Sequence, residues 1–193
     1  VQVSTGGTLS FQLQPHKNGQ STARATIVDS LGLYGTTTDF NVVVLPVNDP
    51  PVFTVVPVPP ATIKMNANVT VISPFLSNIA PGPAEATDEI DQDLNLDAQC
   101  VPSTLCASKP LLRWIGPSSA ELVWQPAPFV AGSGFINVTV VDNGGTDRRG
   151  KDRTMQSFPI VITGVNQPPE VTLTRPSIAL LEQSAITPYV YPG

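Results

Sequence analysis

The segment "PVNDPPVF" at 46–53 returns as "GVNQPPEV" at 164–171, 118 positions later. Two adjacent prolines are a severe constraint. Each lacks an N–H and fixes φ near −65°, so the pair fits neither a helix interior nor a central sheet ladder. Each copy closes a run of alternating apolar residues and precedes a new β-like run. Recurring at a domain-sized interval, the motif reads as a joint between repeated units.

Longer stretches repeat around it. "GGTLSFQLQPHKNGQSTARATIVDSLG" (6–32) lies over "SAELVWQPAPFVAGSGFINVTVVDNGG" (119–145) at an offset of 113, so that Leu9 meets Leu122, Phe11 meets Trp124, Gly19 meets Gly132 and Asp29 meets Asp142. "TTTDFNVVVLPVNDPPVF" (36–53) lies over "TMQSFPIVITGVNQPPEV" (154–171) at 118, the extra five residues belonging to a longer loop, "DNGGTDRRGKDRT". "PPVFTVVPVPPATIKMNANVTVISPF" (50–75) is echoed from 168 to 190. The expected organisation is the back end of one unit (1–49), a complete unit (50–167) and the opening strands of a third (168–193).

Within the units the period is two. In "GFINVTVVD", Ile136, Val138 and Val140 share one face, while Asn137 and Thr139 share the other. Among the 193 residues are 21 Pro and 14 Gly, which together with abundant Val and Thr disfavour helices. With 41% hydrophobic residues, a sizeable core can be buried. The expected fold is all-β, a β-sandwich used in tandem. Pro50-Pro51 and Pro168-Pro169 then stiffen the passage between units.

Charge and motifs remove several functions. Only 13% of residues are charged, the net charge is −5, and no Lys/Arg stripe exists, which argues against a nucleic-acid partner. No uncharged apolar stretch of about 18 residues is present to span a membrane. The chain opens mid-pattern at "VQVSTGGTLSF" and reads as part of something longer. No G-x-S-x-G, H-E-x-x-H, P-loop or G-x-G-x-x-G occurs, and the sole histidine, His16, sits in a polar loop, so no enzyme is expected. The two cysteines, Cys100 and Cys106, suit a small disulfide-closed loop in an oxidising compartment, with two buried thiols as the alternative. Trp124 aligns with Phe11 and reads as core; Trp114 has no such counterpart and is a candidate exposed contact.

In this order, Asn78-Ile79-Ala80-Pro81-Gly82-Pro83, the acids from Asp88 to Asp93, Val141 to Gly145, and Val47 to Pro50 resemble the tandem Ig-like, cadherin-like repeats of large extracellular adhesins and surface filaments, including algal flagellar-hair proteins. The resemblance covers essentially the whole chain, although the Cys100–Cys106 loop is not part of that pattern. It implies an extracellular or cell-surface setting, with partners among neighbouring modules of the same chain, copies of itself or other surface proteins. It also raises Ca²⁺ at the joint, for which Asn48, Asp49, Asp88, Asp91 and Asp93 are the candidate ligands. The plainer reading of these residues is turn-capping and a solvated acidic loop. Pro46 stands where a cadherin linker has an additional Asp, and Gln167 replaces Asp49 at the second joint. Sequons at Asn68-Val69-Thr70 and Asn137-Val138-Thr139 fit N-glycosylation. The expected role is a semi-rigid rod assembling laterally into a surface filament, with a calcium-stiffened adhesion module as the alternative.

Overall fold

The computed structural model describes residues 2–4, 6–56 and 61–172. The part of the expected third unit from 173 to 193 lies outside them. Before the first Pro-Pro pair come two small antiparallel sheets: β1 (Gln2–Val3) with β2 (Leu9–Ser10), and β3 (Gly19–Ala25) with β4 (Thr38–Val44). After it the strands are β5 (Val52–Val55), β6 (Ala61–Lys64), β7 (Thr70–Ala80), β8 (Leu94–Val101), β9 (Leu111–Gly116), β10 (Ser119–Trp124), β11 (Gly132–Asp142) and β12 (Arg153–Thr163).

These eight strands form two four-stranded sheets, ordered β5-β7-β10-β9 and β6-β12-β11-β8. All pairings are antiparallel except β6 with β12, which run side by side in the same direction. The chain thus places β5 in one sheet and β6 in the other. The core between the sheets follows the alternation seen in the sequence: Ile136, Val138 and Val140 are fully buried, with Ile160 on the neighbouring strand of their own sheet and Phe75, Leu76 and Leu122 from the other sheet in the same cluster. Phe75 meets Phe158 edge to face with ring centres 5.1 Å apart, a geometry that suits the ring quadrupoles. Trp124 is 2% exposed, but its counterpart Phe11, read as the same core position, is 49% exposed; Trp114 on the edge strand β9 is 44% exposed. Among the described residues, the cluster draws on nothing before Phe53 or after Ile162, so the sandwich carries its own core.

The β3–β4 pair matches the β11–β12 pair in register. Gly19 opposes Val44 and Ala23 opposes Phe40; Gly132 opposes Ile162 and Ile136 opposes Phe158. These are the same pairings shifted by the two sequence offsets. Phe40, Val42 and Val44 are only half-buried, while Phe158, Ile160 and Ile162 are buried.

Cys100 and Cys106 form a disulfide. Cys100 lies on β8, and Cys106 follows a short 3-10 turn, Ser103–Leu105, in a segment that pairs beside the end of β10 through Ala107 N–H to Gln125 O (2.9 Å) and Ala127 N–H to Leu105 O (2.8 Å). The bridge therefore ties one sheet to the border of the other. It also holds Leu105, 4% exposed, over Gly134, where a side chain would collide with Leu105 and the Val101 carbonyl.

Candidate functional site

The joint peptide Val47-Asn48-Asp49 is docked on the end of the sandwich. Its anchor is the Asn48 carboxamide. Nδ2 donates to Asp142 Oδ1 and to the Lys151 carbonyl, both at 2.8 Å, and Oδ1 accepts from Gln92 Nε2 at 2.8 Å. The Lys151 N–H donates to the Asn48 carbonyl at 3.0 Å. Both amide donors and the acceptor are thus used, which suits a half-buried asparagine.

The socket is built by the loop between β11 and β12. Asp142 ends β11 and is 6% exposed; its Oδ1 also accepts the Gly144 N–H at 2.9 Å, closing an Asx-type turn. A 3-10 turn at Asp147–Arg149 and Gly150 then return the chain to Lys151 and β12. Gly144 leaves the space that Asn48 fills: a Cβ there would overlap the Asn48 carboxamide and lie 2.5 Å from Gln92 Nε2. At Gly150 a Cβ would stand 3.0 Å from Asn48 Cβ.

A second tier lies beside it. Successive turns bring Glu89 N–H to Ala86 O and Gln92 N–H to Glu89 O, placing both side chains against the joint. Glu89 is 3% exposed, and its Oε1 accepts the Asp49 N–H at 2.6 Å. Its Oε2 is buried without a partner against Gly82, where a Cβ would overlap it; Asp142 Oδ2 is likewise buried without a partner. Burial pushes the Glu89 carboxyl above the ordinary carboxylate range; the Asp49 amide opposes this, and the charges of Asp49, Asp88 and Asp142 add to it. The loop before β3 reaches over: His16 Nδ1 is 2.7 Å from Asp49 Oδ2, Lys17 Nζ donates to the Glu85 carbonyl (2.6 Å), and Asn18 Nδ2 donates to Asp88 Oδ2 (2.6 Å). Pro51 is fully buried and Pro50 half-buried, whereas Pro168 and Pro169 are exposed.

The five residues singled out for Ca²⁺ are shared among separate partners. Asn48 is in the socket, Asp49 faces His16, Asp88 faces Asn18, Asp93 exchanges bonds with Asn143, and Asp91 is exposed. No three Asp, Glu, His or Cys among the described residues are grouped to hold an ion. Asn68 is exposed in the loop before β7. Asn137 lies outward in mid-strand, with Gln99 and Ser157 on either side, and accepts a bond from Ser157 Oγ at 2.8 Å. Sequence reading missed Glu89, Gln92 and Lys151 as joint contacts. It aligned Asp142 and noted the glycines after it only as hairpin formers. Comparison with protein-family models, with curated proteins and with solved structures gave no match.

Two outcomes are expected. Gly144→Ala should expel the Asn48 side chain while leaving the core intact; exchange of the Lys151 amide, followed by NMR, should accelerate about tenfold or more, the worth of one to two hydrogen bonds. Unchanged protection would show that the carboxamide is not what holds the joint. The second concerns pH. A carboxyl whose folded pKa is raised contributes its stability below the unfolded value, about 4.3 for Glu, and loses it as pH rises through the folded value. Relative to Glu89→Gln, the native protein should therefore lose stability from about pH 4 upward, read as a widening gap in urea midpoints.

Proposed function

We propose that the chain is a segment of a long extracellular repeat protein whose Ig-like, cadherin-like modules form a semi-rigid rod. The observation that carries this reading is the docked joint: Asn48 and Asp49 are hydrogen-bonded to the next sandwich and Pro51 is buried in it, so the linker is part of the module's surface. Support for the module type comes from the strand order. β5-β7-β10-β9 and β12-β11-β8 follow the ABED and GFC sheets of an Ig sandwich, with β6 as a displaced piece of the first strand. Support for repetition comes from the shared register of the β3–β4 and β11–β12 pairs. The disulfide and the sequon at exposed Asn68 fit an oxidising, secretory setting. Among the described residues no helix is long and apolar enough to cross a membrane.

A rod serves by setting length and bending, and its flanks are free for lateral contacts. On the outer face of the first sheet, Leu111, Val123 and Val71 stand in one cross-strand row, with Leu111 and Val71 both 52% exposed. Small-angle X-ray scattering tests the rod directly. The native chain should fit one orientation of the 2–44 strands on the sandwich, and Asn48→Ala should require a broad distribution. Equal breadth in both proteins would remove the basis for a rod.

A calcium-stiffened adhesion module is the second reading. It is favoured by a cavity of about 330 Å³ at the joint, lined by Asn48, Asp88, Glu89 and Asp147 among others, beside the unpartnered oxygen of Glu89. Binding would require Asp88 to leave Asn18. Millimolar Ca²⁺ should then raise the melting temperature by several degrees over chelator, an effect lost in Asp88→Asn. No shift would leave the hydrogen-bonded joint as the stiffening device.

A further inference from the structure

We infer that the Asn48 socket is the contact through which tension along the rod bypasses the strands from β5 to β11, passing from the joint through Asn48 into Lys151 and along β12. The inference rests on the rod reading and concerns how such a rod is loaded. The covalent path from Asn48 to Lys151 runs through 103 residues, which include every other strand of the sandwich. The hydrogen-bonded path is immediate. Lys151 donates its N–H to the Asn48 carbonyl and accepts Asn48 Nδ2 on its own carbonyl, so one residue grips the joint from two sides.

The course of the chain beyond Lys151 matters as much. Two residues later β12 begins, runs eleven residues through the sandwich, and ends at Thr163, next to the second joint at 164–169. β12 is an inner strand, paired along ten residues with β11 and along four with β6. Pull applied between the two joints would therefore travel along one continuous strand, held along its length by β11 and over its last four residues by β6 as well. Asp142 and Gln92 share the load at the entry point because both bond the same carboxamide.

Once the latch opens, the path changes. Tension then enters at β5 and β6 and leaves from β12. Because β6 and β12 run parallel in the register Ala61–Ile160 to Lys64–Thr163, opposite pulls slide the strands past each other and load all rungs together. The expected response has two stages: a small, reversible opening at the joint, then rupture of the sandwich at higher force.

Single-molecule pulling on the full chain tests this, with handles at Leu45 and Gly164, both exposed. The native chain should show an early step on the order of 1–2 nm, the reach of the few residues freed, before the sandwich unfolds. In Asn48→Ala the lifetime of that latched state at constant force should fall about tenfold, while the force of sandwich unfolding stays unchanged. Gly144→Ala, which vacates the same socket from the other side, should reproduce the effect. An early step that survives both substitutions, or a native chain that goes straight to sandwich unfolding, would overturn the load path. Either result would leave the rod itself standing if scattering shows the unloaded joint fixed. A joint already loose without load would remove both.

Discussion

The carboxamide of Asn48 is the group that ties the linker to the most separate parts of the sandwich. It sits where three separate stretches of chain meet: the turn carrying Gln92, the end of β11 at Asp142, and the approach to β12 at Lys151. Without it Gln92 and Asp142 would have no bond to the linker, and Lys151 would keep only its N–H bond to the Asn48 backbone carbonyl. If the carboxamide left, Asp142 and Gln92 would each lose a partner at a site that is already short of them, since Asp142 Oδ2 and Gln92 Oε1 are buried and unpaired. Unsatisfied buried polar atoms are costly, and that cost is what makes a few hydrogen bonds hold an orientation.

The sandwich and the joint are stabilised by different physics. The core is hydrophobic burial between two sheets, cross-tied by the Cys100–Cys106 bridge, with Pro51 the one linker side chain fully buried beside it. The joint is polar, partly solvated and built from short hydrogen bonds with an acid pushed up by burial at its side. Hydrophobic cores yield cooperatively, whereas a local polar contact can open without disturbing them. A chain organised this way can change stiffness at its joint while the sandwich stays folded, a property that suits the proposed rod.

Much of this architecture was legible in the residues. Alternation through Ile136, Val138 and Val140 placed the core face, and the first Val-Asn-x-Pro-Pro marked the segment that docks on the sandwich. Aligning Trp124 with Phe11 placed one buried ring, Trp124, while Phe11 stays 49% exposed. The chemistry of the joint was less legible, because spacing along the chain says nothing of which loops meet at the end of a sandwich. Acids clustered in sequence from Asp88 to Asp93 drew attention to calcium, but folding divides them: Glu89 turns toward the joint, beside the Gln92 amide, and Asp91 toward solvent. A usable signal did exist in the glycines. Gly144 aligns with Leu31 in the first copy, whose loop is five residues shorter, so only the longer loop has both the room and the length to enclose an asparagine. Asp29, the counterpart of Asp142, uses its Oδ1 on the Leu31 and Leu33 amides at 2.8 and 2.9 Å. The side of the sandwich bridged by the disulfide was also beyond reach, since it depends on where the chain crosses between sheets.

The central claim is that one asparagine fixes the direction in which the chain enters the module. Pulsed electron spin resonance between labels at Gln20 on β3 and Ser108 before β9 measures it most directly. A single narrow distance distribution in the native chain, broadened by Asn48→Ala and unaffected by Asn68→Ala, is the predicted result. A native distribution as broad as that of the Asn48 variant would contradict the account.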